Sequence, residues 1–203
     1  MNPIGCQDRE SIASDGALRI RRMRDDEGEY ALLARWLNEP QVREWWGPDD
    51  PPATVESVRH EHRPSTRPGA PTTACIIELD GRATGFIQFY EWASCVEDAD
   101  AVGLVVQPDD WGLDVLIGEP AAIGGGVGPR AVALLCDHLE RAHGARSVTL
   151  LTEVTNLRAH RAYEKAAFRT IGEVLDTDTR NGERVRSLVM RRARGAAQAP
   201  GGV

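Results

Sequence analysis

Residues 113–143 join a strand-like segment, a cluster of glycines and a helix-like segment without a break. Gly124, Gly125, Gly126 and Gly128 separate the apolar segment LDVLIGE from the amphipathic segment PRAVALLCDHLE. Glycine lacks a Cβ atom, so its backbone N–H group can approach a ligand closely and in conformations that other residues rarely adopt. The first N–H groups of a helix have no partner inside the helix and lie at the positive end of its dipole. The arrangement predicts a turn that binds an anion, and phosphate oxygens fit it best.

Two well-known nucleotide-binding motifs do not fit this turn. A Walker loop ends in Gly-Lys-Ser or Gly-Lys-Thr, whereas this turn ends in Gly128-Pro129-Arg130. A dinucleotide-binding fold carries its glycine motif after an early strand, whereas this cluster comes late in the chain and lacks an early βαβ unit. Because a glycine cluster alone is weak evidence, a flexible surface turn stays open as the alternative to a phosphate site.

The composition argues against several classes of protein. The chain has 203 residues and a formal net charge of −7, which disfavours a nucleic-acid-binding protein. No apolar run is long enough to cross a bilayer, and the first residues lack the basic and apolar segments of a signal peptide. The four cysteines have no metal-binding spacing, and a solvated helix face explains His60 and His62 better than a metal site does. We therefore expect a cytoplasmic protein with reduced thiols, no metal, and no membrane or nucleic-acid partner.

The hydrophobic periodicity predicts one mixed α+β domain. Residues 1–16 are polar and aperiodic and are predicted to form a disordered N-terminal arm. Residues 194–203 are predicted to form a flexible C-terminal tail, which leaves residues 17–193 as the folded domain. Within it the patterns predict a strand, two or three helices, three strands, a helix, a strand, a helix and two final strands. Asp80-Gly81 marks a hairpin between two of these strands. The order is typical of a twisted, mostly antiparallel central sheet flanked by helices.

The stretch between Arg82 and Arg130 contains eight carboxylates and no lysine or arginine. Unless arginines from elsewhere in the fold cover it, this stretch produces a strongly negative local field. One interpretation is a solvated acidic loop, and the other is a cleft that attracts a polycation by long-range steering. The carboxylates are those of Glu91, Glu97, Asp98, Asp100, Asp109, Asp110, Asp114 and Glu119.

Two motifs resemble the acetyl-CoA signature of the GCN5-related N-acetyltransferase (GNAT) family. Gly126-Val127-Gly128 stands where the family has the GxG of its (Q/R)xxGxG/A turn, and the segment NLRAHRAYEKAAF follows after one strand. In that family the turn binds the coenzyme A pyrophosphate. The chain departs from the pattern at Ile123, which replaces Gln/Arg and removes a polar phosphate contact, and at Ala167, which replaces a glycine. The resemblance implies a GNAT-like fold and an acetyl-CoA site formed by Leu116, Ile117, Gly118, Ile123, Gly124, Gly125, Gly126, Val127, Gly128, Pro129, Arg130, Asn156, Ala159, Tyr163 and Lys165.

More of the chain resembles one branch of the family, the aminoglycoside 6′-N-acetyltransferases. EWWGPDD matches a tryptophan pair ahead of a glycine, GFIQFYEW matches a Gln-x-Tyr strand, and WGLDVLIGE matches the strand that carries the active-site aspartate. An aminoglycoside needs carboxylates for its ammonium groups and aromatic rings for its sugar faces, and Trp92 and Trp111 are further candidates for such rings. Where the branch often has an Asp-Pro pair, this chain has Thr152-Glu153. The implied acceptor-binding residues are Trp45, Trp46, Gln88, Tyr90, Asp98, Asp100, Asp114 and Glu153.

The chemistry of amine acetylation gives roles to two of these residues. An ammonium group must lose a proton before it can attack a thioester. Asp114 is the candidate base, directly or through water; an ordinary aspartate, with a pKa of about 3.9, is a weak base, so its position matters more than its basicity. The family resemblance implies that a backbone N–H among residues 116–118 polarises the thioester carbonyl. It also implies that Tyr163 donates a proton or a hydrogen bond to the departing coenzyme A thiolate.

The leading interpretation is an aminoglycoside N-acetyltransferase that confers resistance, acting on the 6′-amino group with acetyl-CoA as co-substrate. One alternative is a GNAT enzyme for another small amine, such as a kasugamycin-type 2′-amino group, a siderophore precursor or a polyamine, or for a protein N-terminus. The other alternative is a non-catalytic acyl-CoA-binding module, which Ile123 favours slightly and which Asp114 and Tyr163 oppose. The protein is expected to be a monomer or a homodimer.

Overall fold

A computed structural model describes residues 11–47, 50–101, 103–177 and 184–196 of the chain. In this part, eight strands form one sheet in the order β1-β2-β3-β4-β5-β6-β8-β7. The strands are β1 Ser11–Asp15, β2 Leu18–Arg22, β3 Thr72–Leu79, β4 Arg82–Glu91, β5 Asp110–Ile117, β6 Ser147–Glu153, β7 Arg169–Thr177 and β8 Arg184–Ala193. The helices are α1 Glu27–Leu37, α2 Pro40–Arg43, α3 Val55–His62, α4 Val96–Ala101, α5 Val127–His138 and α6 Leu157–Lys165. A π turn, Leu139–His143, continues α5.

The sheet is antiparallel except at its centre. Among the described strands, β5 and β6 alone pair in parallel, and they do so at two residue pairs, Asp110 with Ser147 and Trp111 with Val148. Beyond Trp111 these two strands have no further paired residues, whereas β5 stays paired with β4 as far as Ile117. The predicted mostly antiparallel sheet is confirmed, and one edge of β5 is left open in the middle of the sheet.

The β3–β4 hairpin forms where the Asp80-Gly81 pair predicts it. Both turn residues have positive φ, 50° for Asp80 and 73° for Gly81, which is the requirement of the tight turn that suits the twist of a hairpin. The neighbouring residues Ile76 and Ile77 are both fully buried although they point to opposite faces of the sheet. β3 is therefore covered on both faces.

Two helical layers cover the sheet, one on each face. Leu135 of α5 and Leu113 of β5 belong to a buried cluster on the first face. Trp36 of α1, Phe86 of β4 and Leu116 of β5 belong to a second buried cluster on the other face, together with side chains of α3. Side chains of β5 thus alternate between the two layers, as a strand period of two requires.

Short polar side chains fix where three helices begin. Asp26, Thr54 and Asn156 precede α1, α3 and α6, and each side chain accepts a hydrogen bond from the backbone N–H three residues further on. The long helical segment that follows the glycine cluster ends at Gly144, which has a left-handed backbone with φ of 73°.

One expectation about an irregular segment is wrong. Ser11–Asp15 was expected in the disordered arm, but it forms β1, because a tight turn at Gly16 returns it along β2 and Ile12 packs against the core. Val96–Ala101 of the acidic stretch, for which the sequence predicted no element, forms the short helix α4. The rest of the arm and the last seven residues of the tail lie outside the described residues.

Ala167 has a left-handed backbone, with φ of 69°, directly after α6. This conformation costs an L residue about 1–2 kcal/mol, whereas placing glycine there sacrifices about 0.5–1 kcal/mol of chain entropy. We expect Ala167→Gly to raise the free energy of unfolding by about 0.5–1 kcal/mol, measured by urea denaturation.

The neighbouring alanine provides the matched control. Ala166 has an ordinary φ of −85°, so Ala166→Gly brings no relief of backbone strain and should lower the free energy of unfolding. If Ala167→Gly destabilised the protein as much as Ala166→Gly, the left-handed conformation would carry no strain and the expectation would be contradicted.

Candidate active site

A cleft of about 430 Å³ opens where β5 leaves β6. Residues 115–117 of β5 form its floor, and the glycine turn with the start of α5 forms one wall. α6 forms the opposite wall, and α2 with the residues just after it covers the top. The cleft therefore depends on four elements that are distant in sequence and that only the sheet brings together.

The turn between β5 and α5 presents backbone N–H groups to this cleft. Gly124 and Gly126 have φ values of 81° and 78°, which side-chain-bearing residues rarely adopt. Gly126 precedes the first residue of α5, and its carbonyl accepts from the N–H of Arg130 at 3.3 Å. The N–H groups of Val127 and Gly128 lie in the first turn of the helix, where no helical carbonyl can accept them. These donors are suited to an anionic ligand.

Residues 118–119 anchor the start of this turn to α1. The N–H groups of Gly118 and Glu119 both donate to the Thr84 carbonyl, at 3.0 and 3.1 Å. The Glu119 carboxylate pairs with Arg35 and accepts from the indole N–H of Trp36 at 2.9 Å. The hydrogen bond from Arg35, and to a smaller extent the one from Trp36, holds the pKa of the Glu119 carboxyl below its usual range. The turn is thereby fixed to the buried layer of helix α1.

The direction of N–H groups along β5 narrows the choice of donors for a thioester carbonyl. Strand N–H groups point alternately to the two edges of a strand. Since the N–H of Gly118 points to β4, that of Leu116 points there too, whereas those of Val115 and Ile117 point to the edge that β6 has left. Of the expected residues 116–118, Ile117 alone has its N–H on the open edge. Val115, which the sequence analysis did not name, shares this orientation.

Three polar side chains meet on the face of the sheet that α1 covers. Gln88 lies opposite Asp114 across β4 and β5, and its Nε2 donates to Asp114 Oδ2 at 2.8 Å. Two residues further along β4, the Tyr90 ring lies over Gly112, where an added Cβ would come within 2.4 Å of the ring. All three side chains are half-buried. The structure thus brings together Gln88, Tyr90 and Asp114, three of the residues that the sequence predicts to bind the acceptor.

Asp114 and Tyr163 have pKa values that the protein shifts in the same direction. Loss of solvation raises the pKa of Asp114 above its ordinary range, and the hydrogen bond from Gln88 opposes this rise. Burial, and secondly the negative charge of Asp114, raises the pKa of Tyr163. The carboxylate is therefore a stronger base than a free aspartate, and the phenol stays protonated at neutral pH. Because the Asp114 charge influences the Tyr163 phenol, the two groups are electrostatically coupled.

The structure assigns the tryptophans to two different roles. Trp45 and Trp46 both line the cleft, and Trp46 also packs edge-on against Phe86 with ring centroids 6.2 Å apart. The suggestion of Trp92 and Trp111 as further substrate-facing rings is wrong. Trp92 is buried and its indole N–H donates to the Thr149 carbonyl at 3.0 Å, while Trp111 is partly buried and packs against the core on the α5 face.

Arginines from other elements neutralise two carboxylates of the acidic stretch. Asp110 is fully buried and pairs with Arg191 of β8 at 3.1 Å, and Glu119 pairs with Arg35 of α1. The acidic stretch is therefore not one continuous negative surface.

Asp114, Gln88 and Tyr90 are not among the described residues that line the cleft, and neither Asp100 nor Glu153 lines it. Asp100 is exposed on α4, and Glu153 is half-buried at the end of β6, where its carboxylate accepts from Thr155 at 3.4 Å. The side chain of Asp98 lies outside the described residues.

Most residues of the expected acetyl-CoA site do line the cleft. They are Leu116, Ile117, Ile123, Gly124, Gly126, Val127, Gly128, Pro129, Asn156, Ala159, Tyr163 and Lys165. Gly118, Gly125 and Arg130 do not, and the guanidinium of Arg130 instead lies 3.9 Å from Asp15 of β1.

Three polar residues of the cleft were not predicted from the sequence, namely Gln41, Arg158 and Arg161. Arg158, Arg161 and Lys165 follow one another at spacings of three and four residues, which places them on one face of a helix. This spacing is a signal in the sequence from which the two arginines could have been predicted. No local pattern marks Gln41, because α2 reaches the cleft only through tertiary packing.

Comparison with known proteins then decides the family. The profile of the acetyltransferase (GNAT) domain matches residues 25–175, which include the glycine turn and α6. The chain belongs to the GNAT acetyltransferase family. It is an N-acetyltransferase with acetyl-CoA as its co-substrate.

Relatives within the family include enzymes that act on aminoglycosides. The aminoglycoside N(6′)-acetyltransferase type 1 of Klebsiella pneumoniae is 29% identical over 172 residues, which cover 81% of this chain and 80% of the relative. The solved structure of AAC(6′)-Ib with ribostamycin and coenzyme A has a TM-score of 0.72 and 27% identity, covering 89% of this chain and 95% of that one. The spermidine N-acetyltransferase of Vibrio cholerae, at 13% identity and a TM-score of 0.68 over 90% of this chain and 98% of that one, shares the fold.

Two structural features are absent from the described ranges. No group of three or more His, Cys, Asp or Glu side chains there is arranged to hold a metal ion. No helix of those ranges has the length and apolar character needed to cross a membrane.

Gly118 is required by packing against α1. A Cβ atom at Gly118 would lie 2.0 Å from Cγ of the fully buried Trp36 ring, which the surrounding core holds in place. We expect Gly118→Ala to lower the free energy of unfolding by about 1–3 kcal/mol in urea denaturation, because the ring has to shift within a filled core.

Gly128→Ala is the matched control, since its added Cβ would lie at an ordinary 3.7 Å from Ile117 Cγ1, within the first turn of α5. Alanine is the better helix former, so this variant should retain wild-type stability or exceed it. Equal stability of the Gly118→Ala and Gly128→Ala proteins would contradict the packing role of Gly118.

Proposed function

We propose that this protein transfers the acetyl group of acetyl-CoA to the 6′-amino group of an aminoglycoside and so confers resistance. The observation that carries the proposal is the half-buried Asp114, held by Gln88 beside the open edge of β5 and coupled to Tyr163 in the cleft. Aminoglycoside acetyltransferases among the relatives, aligned over most of the chain, support the choice of acceptor.

Acetyl-CoA binds with its pyrophosphate at the glycine turn. The N–H groups of Val127 and Gly128 and the positive end of the α5 dipole satisfy the phosphate oxygens. The pantetheine arm then follows the open edge of β5, where the N–H of Val115 or Ile117 donates to the thioester carbonyl. Fixed donors of this kind stabilise the negative charge that develops on the carbonyl oxygen during attack.

Asp114 binds the acceptor ammonium and removes its proton. A carboxylate in a poorly solvated site gains more from a nearby cation than it would in water, so the same loss of solvation that raises its pKa favours amine binding. The raised pKa also brings the base closer to the pKa of the amine, which makes proton transfer less unfavourable. The free amine then attacks the thioester carbon.

Tyr163 assists departure of the coenzyme A thiolate. Its phenol is protonated at neutral pH and can donate a hydrogen bond or its proton to the sulfur. The charge of Asp114 is one reason why the Tyr163 pKa is raised. When Asp114 takes the amine proton, that charge is neutralised, so the phenol becomes a better acid at the step in which the thiolate leaves.

Aromatic and amide side chains complete the acceptor site. Trp45 and Trp46 line the top of the cleft and offer flat apolar surfaces to the sugar rings. Gln88 and Tyr90 lie beside Asp114 and offer hydrogen-bonding groups to hydroxyls and amines of the antibiotic.

The hydrogen bond between Gln88 and Asp114 predicts a shift in the pH profile. Asp114 acts as a base when ionised, so kcat/KM should fall as the pH drops through its raised pKa. Since the Gln88 hydrogen bond lowers that pKa, Gln88→Leu should move the acidic limb of kcat/KM to higher pH. The measurement is kcat/KM for kanamycin across the acidic and neutral pH range.

Gln107→Leu is the control, because Gln107 is exposed and lies outside the cleft. Its acidic limb should coincide with that of the wild type. A Gln88→Leu profile that is lower in height but unshifted along the pH axis would show that Asp114 does not set the acidic limb.

A panel of acceptors tests the proposed reaction itself. Thiol release from acetyl-CoA should be fast with kanamycin and ribostamycin and slow with spermidine and with a peptide N-terminus, and NMR of the product should place the acetyl group on the 6′-amine. Asp114→Asn should retain acetyl-CoA affinity and lose about 100-fold or more in turnover, the usual loss on removal of a general base.

Two results of this panel would overturn the proposal. Faster turnover with spermidine or the peptide would identify another class of acceptor, and no release with any amine would indicate a non-catalytic acyl-CoA-binding module. Wild-type turnover in Asp114→Asn would show that the amine proton leaves by another route.

A further inference from the structure

Three cations of α6 line the cleft in one stripe. Arg158, Arg161 and Lys165 follow one another at spacings of three and four residues, and all three contribute to the cleft wall. Such spacing keeps side chains on one face of a helix, and the stripe extends over about 10 Å at 1.5 Å per residue. Lys165 is also the sole lysine of the chain.

The stripe has no carboxylate to neutralise it. Within the described residues, none of the three cations pairs with an aspartate or glutamate, and neither residue type lines the cleft. Arg158 donates to the Gln41 carbonyl at 3.4 Å, while Arg161 and Lys165 are exposed residues that line the cleft. Like charges three and four residues apart destabilise a helix. In a chain of net charge −7, this concentration of unpaired cations at one cleft indicates an anionic ligand.

The opposite wall supplies no cationic side chain. Ile123 precedes the glycine turn, and the Arg130 guanidinium lies near Asp15 rather than in the cleft. The glycine turn therefore has backbone N–H groups to offer, and every cationic side chain that lines the cleft in the described structure comes from α6. Two walls with different chemistry are suited to two different anionic groups.

We propose that the α6 stripe binds the ribose 3′-phosphate of coenzyme A and makes the protein select the 3′-phosphorylated donor. This inference depends on the proposed binding of the pyrophosphate at the glycine turn, which leaves the 3′-phosphate as the remaining anionic group of the donor. A phosphomonoester carries a charge of about −1.5 to −2 at neutral pH, which two or three cations match. Arg161 and Lys165 bind the phosphate, and Arg158 joins the stripe to α2.

The experiment compares two ligands that differ in this one group. Calorimetry measures the Kd of coenzyme A and of 3′-dephospho-coenzyme A for the wild type and for the double variant Arg161→Gln/Lys165→Gln. Arg158 is left unchanged because of its contact with Gln41. The control, Arg141→Gln/Arg146→Gln, removes the same total charge at exposed positions outside the cleft.

In the wild type, coenzyme A should bind about tenfold or more tightly than the dephospho form, the scale of one to two charge-assisted hydrogen bonds. The double variant should bind both ligands with the affinity that the wild type has for the dephospho form. The control should preserve the wild-type difference between the two ligands.

Two results would overturn the inference. Equal affinity of the wild type for both ligands would show that the 3′-phosphate has no site. A double variant that lost the same factor for both ligands would show that the stripe binds another part of the donor. If neither ligand bound the wild type at all, the proposed donor site at the glycine turn would instead be refuted, so the two proposals fail in distinguishable ways.

Discussion

The buried carboxylate of Asp110 joins the first residues of β5 to β6 and β8. It accepts hydrogen bonds from Ser147 at 2.8 Å and Thr149 at 2.9 Å and pairs with Arg191. Removing one partner from such a buried group is strongly destabilising, because it leaves an uncompensated charge. The sheet is therefore fastened where β5 begins, and the strands separate beyond Trp111. The open edge of β5, and with it the cleft, depends on this fastening.

Where β5 separates from β6, the donor side and the acceptor side of the proposed site differ in electrostatic character. The donor side has helix N–H groups at the glycine turn, cations on α6 and no carboxylate among the described lining residues. The proposed acceptor side has Asp114, a carboxylate whose pKa is raised by loss of solvation. In the proposed reaction, a donor rich in phosphates and an acceptor rich in ammonium groups would be attracted to different sides of one strand. The thioester and the amine would then meet where these two surfaces adjoin.

The position of the glycine turn depends on the core of the protein as much as on its own sequence. Trp36 lies against Gly118 and donates to Glu119, so the residue before the turn is held by a fully buried ring. Backbone N–H groups stabilise an anion effectively when they are fixed in advance, because little reorganisation accompanies binding. Helix α1, which contributes no side chain to the cleft in the described structure, in this way contributes to its chemistry.

The sequence by itself determined the elements of the fold and the two motifs of the donor site, because turn residues such as Asp80-Gly81 and helix periodicity act over a few neighbouring residues. Tertiary structure alone decided which acidic residues are exposed to solvent and which form ion pairs with arginines. Asp110 meets Arg191 across 81 positions of sequence, and Glu119 meets Arg35 across 84. It also decided that Ile117 rather than Gly118 directs its N–H to the open edge. These outcomes follow from strand order and from where two strands part, and no local pattern of residues encodes either.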